Sequence, residues 1–166
     1  MRRWPLLLPF LFAVAPTLTL YASNSGQTAF AAALLPMGAA LALTLLLVPP
    51  CVVLFRSPVR AAVALSMFWW VVFSYGHVAA VIGKFPLAGH NPANAKFLLP
   101  FTCLLLVAGA VAIRRARSEP VLLARVLLVV VASTLVASLV TVARVGASRR
   151  PFASSSVFPD ESLAAT

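Results

Sequence analysis

The sequence predicts an all-α integral membrane protein, a polytopic bundle of five transmembrane helices. Three observations lead there. Apolar residues make up 62% of the 166 residues and charged residues only 10%. A soluble domain carries about a quarter charged residues, so this chain cannot build an ordinary water-facing surface. Mean hydropathy is +1.03, and the apolar residues gather in five runs, each close to the roughly 20 residues that cross a bilayer core about 30 Å thick. The basic residues fall almost entirely in the short gaps between those runs or at their ends. Together these exclude a secreted disulfide scaffold, a disordered tail and a soluble enzyme.

The first run, 4–21, follows Arg2 and Arg3 and is short for a span. A basic start and an apolar core also describe a signal peptide. Cleavage near Tyr21-Ala22-Ser23 would want paired small residues, and position 20 is Leu, so the run reads as a retained helix. The second run, 30–48, meets Pro49-Pro50. A residue before proline is pushed out of the helical region, so this pair should end or kink the helix and leave 51–55 trailing to the interface. Pro16 and Pro36 lie inside runs, where bilayer helices tolerate them if neighbours re-satisfy the freed backbone groups. The third, fourth and fifth runs cover 61–82, 97–113 and 121–143. Residues 1–144 therefore form one membrane domain. Residues 145–166 read as a flexible tail, because Gly146-Ala147-Ser148 and Ala153-Ser154-Ser155-Ser156 have linker composition. No transporter-type internal repeat is visible, since five spans do not divide into equal halves.

Thirteen Lys and Arg against three acids give a formal charge of +10. Arginines placed between apolar runs orient helices and contact anionic lipid; they form no basic stripe for nucleic acid. With a cytoplasmic N-terminus, seven charges fall inside, Arg2, Arg3, Arg56, Arg60, Arg114, Arg115 and Arg117, and Arg125 is near enough to make eight. Five fall outside: Lys84, Lys96, Arg144, Arg149 and Arg150. The uncharged first loop, 22–29, agrees with that orientation. Five spans then put the C-terminus outside.

Helix packing should use small and hydroxyl residues at helical spacing: Gly38 with Ala42, Ala108 with Ala112, and Thr134, Ser138 and Thr141 on one face of the fifth helix. Those hydroxyls could alternatively line a polar pathway, but no acid lies in any run to serve ion or proton movement. Cys51 and Cys103 read as small core residues without a disulfide. Trp69-Trp70 lies mid-span and reads as packing rather than a ligand cage. His77 and His90, the only histidines, have no carboxylate near them in sequence. No phosphate loop, metal-ligand spacing or nucleophile–base pair stands out, so neither catalysis nor a cofactor is expected.

One set of polar residues shares the outer side in this topology. It comprises Tyr21, Asn24 and Gln27 in the first loop, Tyr75 and His77 near the end of the third helix, and Lys84, His90, Asn91, Asn94 and Lys96 in the next loop. The plainer reading is an aromatic-belt helix end beside a wet loop. The functional reading is a lipid headgroup or phosphate contact built from Tyr21, Asn24, Gln27, Tyr75, His77, Lys84 and Lys96. An imidazole about five residues from a helix end is costly against acyl chains. His77 is therefore expected to point into the bundle and hydrogen-bond the first helix, its loop or a neighbouring span.

The stretch from Leu18 to Gln27, LTLYASNSGQ, followed some fifty residues on by Phe73-Ser74-Tyr75-Gly76-His77, resembles the N-terminal membrane domain of bacterial sulfatase-like membrane proteins. These are relatives of lipoteichoic acid synthases in the alkaline phosphatase superfamily. The resemblance covers about residues 5–144. It implies a helical membrane domain that precedes an extracytoplasmic catalytic domain. That catalytic domain would bring a metal-binding Asp on a strand, a Thr or Ser nucleophile and further Asp and His ligands. Asp160 sits in a Ser/Pro-containing tail with no apolar strand before it, so the metal role is not carried over. The expectation is a non-catalytic membrane domain in a bacterial cytoplasmic membrane, positioning a lipid substrate or a sulfatase-like partner at the outer face. The alternative is a small transporter or channel subunit using the hydroxyl face of the fifth helix. Membrane lipids, anionic ones included, are the expected partners; nucleic acid is not.

Overall fold

The computed structural model describes residues 4–25, 27–85 and 94–148, and among them every regular element is helical. A 3₁₀ turn, Trp4–Leu7, leads into α1, Leu8–Asn24. Pro5 and Pro9 fit this start because the first turn leaves its N–H groups unused. α2 spans Ala31–Phe55 and stops at Arg56, whose φ of 52° lies in the left-handed region. Ser57 caps α3, Pro58–Ile82, by accepting from the Arg60 N–H at 3.4 Å, with Pro58 preset at the first helical position. Asn94 caps α4, Ala95–Arg115, through the Lys96 N–H at 3.1 Å. α5, Val121–Ser148, starts directly after Pro120.

All five helices are long and apolar enough to cross a membrane. Their outward faces carry large apolar side chains, such as Leu35 at 82% exposure and Val53 at 77%. Surfaces of that kind require an apolar surrounding. The chain is a five-helix membrane-type bundle, as expected.

α1 and α3 form the centre. α1 packs on α2, α3 and α5; α3 packs on α1, α2 and α4. α4 leans chiefly on α3, and α5 chiefly on α1. The main core gathers Leu8 and Ala15 of α1, Val59 and Val63 of α3, and Ala124 and Val131 of α5. In α3 every residue from 61 to 66 is buried. Four of them are Ala61, Ala62, Ala64 and Ser66, small enough to let neighbouring backbones approach closely.

Several expectations need correction. Pro49 and Pro50 do not end α2, which continues to Phe55. Proline removes an N–H but keeps a helix-compatible φ near −65°, and both rings sit on an exposed face where they displace no neighbour. Gly38 and Ala42 are exposed, and a Cβ added at Gly38 would meet nothing within 4 Å. The packed face of α2 instead carries Ala33, Ala40 and Thr44. Ala108 and Ala112 are likewise exposed. Between them Gly109 meets the Met67 thioether so closely that an added Cβ would lie 2.5 Å from Sδ. On α5 only Ser138 of the three hydroxyls is buried, while Thr134 and Thr141 are exposed and bond carbonyls of their own helix. Cys51 is half-buried but Cys103 faces outward, and both are free thiols. Gly146-Ala147-Ser148 complete the last turn of α5 rather than begin a linker. The remainder of the expected tail lies outside the described residues.

Candidate functional site: a groove floored by Trp70

Alternating helix directions bring the starts of α1, α3 and α5 to one end of the bundle with the finishes of α2 and α4. That end holds Arg56, Arg60, Arg114, Arg115, Arg117 and Glu119, with Arg125 one turn inside. The opposite end holds Lys84 and Lys96, and Arg144 near the finish of α5.

Polar side chains tie the arginine end together. The Arg60 guanidinium donates to the Arg114 carbonyl at 3.1 Å and the Ala116 carbonyl at 2.8 Å. Those carbonyls sit at the finish of α4, where intrahelical donors have run out. A cation there also meets the negative end of the helix dipole. Ser57 Oγ donates to Glu119 Oε1 at 2.7 Å, tying the α4–α5 loop to the start of α3. Deeper in the bundle, Trp69 Nε1 donates to Thr44 Oγ1 at 2.9 Å, and Thr44 in turn donates to the Ala40 carbonyl. Trp69 also stacks on Phe73. Thr19 and Ser138 share a 3.0 Å hydroxyl–hydroxyl bond between α1 and α5.

Beyond this closed part the bundle opens. Trp70 is 65% exposed where its neighbour Trp69 is 5% exposed, and it lines three adjoining clefts. A cleft of about 510 Å³ runs between α3, α4 and α5 past Val63, Met67, Gly109 and Leu127, with a lining almost wholly apolar. It shares Phe12, Trp70 and Val130 with a second cleft of about 450 Å³, bordered by Thr19, Ser23, Ser74, His77 and Thr134. A side branch of about 380 Å³ lies between α3 and α4, lined by Tyr75, His77, Phe101 and Thr102. From Val63 to His77 the combined groove follows α3 for about 21 Å. The lining is mainly apolar throughout, and the hydroxyls and His77 that border it lie toward the lysine end.

Of the expected headgroup residues, Tyr75 and His77 line the same cleft. Tyr75 is half-buried and His77 exposed; both border the groove or its branch. Tyr21 turns instead to Phe30, edge to face at 5.2 Å. Asn24 Nδ2 donates back to the Leu20 carbonyl at 2.8 Å, and Gln27 is exposed in the first loop. Lys84 and Lys96 are exposed at the same end of the bundle. Gly26, His90 and Asn91 lie outside the described residues. The helix-clamping bond expected of His77 is absent among the described residues. His77 lines two clefts instead.

The site residues missed in the sequence are Trp70 and Thr19, while Ser23 and Ser74 stand in the outer polar stretches without being chosen as contacts. The Trp pair was legible only as apolar mass. A hydroxyl in a helix gives the same pattern whether it faces a neighbour, as Ser138 does, or a groove, as Thr134 does. The groove hydroxyls of Thr19, Ser23 and Thr134 donate to carbonyls of their own helices, which leaves oxygen lone pairs available. His77 adds a ring that can donate or accept. The arrangement can hold a polar group by hydrogen bonds beside an apolar body. Among the described residues no cluster of His, Cys, Asp or Glu is suited to a metal ion. No protein family, curated protein or solved structure matches this chain.

Proposed function

We propose that this chain is a non-catalytic integral membrane domain that holds a lipid-type amphiphile in the Trp70 groove and presents its headgroup at the lysine end to a separate partner. The observation that carries this reading is the gathering of His77 and several hydroxyls at one end of a long, mainly apolar groove. Acyl chains match the stretch past Met67, Gly109 and Leu127. A headgroup with hydroxyl or phosphate oxygens matches His77 and the hydroxyls of Ser23, Ser74 and Thr134. Lys84 and Lys96 add positive charge at the same end. The arginine excess at the other end supports a cytoplasmic N-terminus and an outward-facing groove mouth in a bacterial cytoplasmic membrane. The resemblance to the membrane anchors of sulfatase-like enzymes supports a catalytic partner at that outer face.

The test is lipid photolabelling. The full chain is reconstituted in phosphatidylcholine–phosphatidylglycerol vesicles containing a phospholipid with a photoactivatable acyl chain, and labelled residues are mapped. Labelling concentrated on Met67, Trp70, Leu127 and Val130, above that of the outward α2 face at Leu35, Leu45 and Leu46, is expected. Equal labelling of both faces would reduce the groove to ordinary lipid-facing surface.

A further inference from the structure

The arginine end contains a concavity of its own, separate from the groove. It holds about 410 Å³ between the Trp4–Leu7 turn, the α2–α3 junction and the start of α5, and is lined by Trp4, Arg56, Ser57, Glu119, Val121 and Arg125. The two arginines differ from Arg60, whose guanidinium is committed to the carbonyls of α4. Both are exposed, and among the described residues neither forms an ion pair or side-chain hydrogen bond. Glu119 is the one carboxylate in the bowl, and Ser57 holds it at 2.7 Å. Two cations against one anion leave the bowl positive. The starts of α3 and α5 bring two positive helix-dipole ends beside it, against the negative end of α2 at Arg56.

Arg56 itself carries a structural cost. Its φ of 52° is a helix-ending conformation most often given to glycine, because a Cβ is crowded there. At this position a glycine would relieve the backbone but remove one of the bowl's two uncommitted cations.

We infer that this bowl binds the phosphate of an anionic membrane phospholipid, bridged by Arg56 and Arg125, with the Trp4 indole alongside at headgroup depth. The location selects a lipid over a soluble anion. The bowl sits at the ends of apolar spans, where lipid phosphates are concentrated, and Val59, Val121 and Pro5 give it an apolar flank. The assignment does not depend on the Trp70 groove, which ends elsewhere on α3.

The experiment uses the full chain in detergent and native mass spectrometry, with dioleoylphosphatidylglycerol and dioleoylphosphatidylcholine as probes. The wild type should favour phosphatidylglycerol. Arg56→Gln and Arg125→Gln should each weaken that binding about fivefold, the worth of one arginine near a lipid surface. Glu119→Gln keeps an acceptor for Ser57 and removes the competing charge, so it should strengthen binding. An Arg114→Gln/Arg117→Gln pair removes charge from the same end but outside the bowl, and should leave binding nearly unchanged. Circular dichroism confirms helicity for each variant. Equal loss from the Arg114/Arg117 pair would reduce the effect to diffuse charge and overturn the inference. So would unchanged binding in the Arg56 and Arg125 variants, or weakened binding in a folded Glu119→Gln protein. Inorganic phosphate titrated into lipid-free protein is the last arm; binding as tight as that of the lipid would overturn the membrane source.

Discussion

The two halves of α3 have similar hydropathy and opposite fates. From residue 61 to 66 every side chain is buried, and the helix is wrapped by α1, α2 and the finish of α4. From Trp70 onward the side chains are exposed or half-exposed and two clefts border the helix, while the third, apolar cleft reaches back along one side of it to Val63. The change falls between two adjacent tryptophans. What differs is side-chain size and cross-linking. The buried half offers alanines and a serine, which let partners close in, and its start is locked by Arg60 and Ser57. The open half offers Trp70, Phe73, Tyr75 and His77, which hold partners apart. In a bilayer, where lipid tails are as apolar as leucine, helices gain little from merely covering apolar surface. Splayed helices are then stable wherever packing and polar ties are weak.

That contrast orders the expected effects of substitution. The largest belongs to Arg60. Arg60→Ala removes two charge-assisted bonds to otherwise unpaired carbonyls, each of the kind worth about 1.5–3 kcal/mol. Thermal unfolding in detergent should show a large loss, with α4 detaching first from the closed half. Arg60→Lys restores the charge but not the two-pronged geometry and should recover only part of it. Unchanged stability in Arg60→Ala would mean the closed half is held by apolar packing alone.

The adjacent tryptophans sharpen the comparison further. Trp69→Phe loses the bond to Thr44 and part of a buried ring, and should cost on the order of 1 kcal/mol. Trp70→Phe removes no hydrogen bond to another segment among the described residues and trims only groove lining. It should leave stability nearly unchanged while altering which groove residues a photoactivatable lipid labels. Similar losses in both variants would erase the distinction between the two faces.

The smallest effects lie on the open side. Ser138→Ala breaks the α1–α5 hydroxyl pair, and interhelical bonds of this type average about 0.6 kcal/mol. His77→Ala should cost less still, since the imidazole makes no bond to another segment among the described residues. A marked destabilisation by His77→Ala would restore the helix clamp that the chemistry of a membrane imidazole suggested.

Much of the fold was legible in the amino-acid sequence because it follows from composition. Five apolar runs bounded by arginines give five helices, and the alternation of runs assigns each charge to an end. Helix limits were less legible. Pro49-Pro50 are strong breakers in water, but an exposed face of a membrane helix absorbs them, and Gly146 is tolerated near the finish of α5. Which small residues pack was not legible. Gly38/Ala42 and Ala40/Thr44 have the same spacing, and only the neighbours' positions choose between them. The candidate site was read in part: Tyr75 and His77 border the groove, while Tyr21 and Asn24 turn to local partners. Trp70 was missed because hydropathy records how apolar a residue is and not whether anything covers it.

The central claim is that α3 side chains are covered up to Ser66 and uncovered from Trp70 onward. Nitroxide labels placed singly at positions 62, 66, 70 and 74, in a chain with Cys51→Ser and Cys103→Ser, test it in phosphatidylcholine–phosphatidylglycerol vesicles. Electron paramagnetic resonance would read oxygen accessibility and label mobility at each position. The account predicts low oxygen accessibility and strong immobilisation at 62 and 66, rising sharply at 70 and staying high at 74. Low accessibility at all four positions would mean that α4 and α5 close over Trp70 in the membrane, and the groove would not exist.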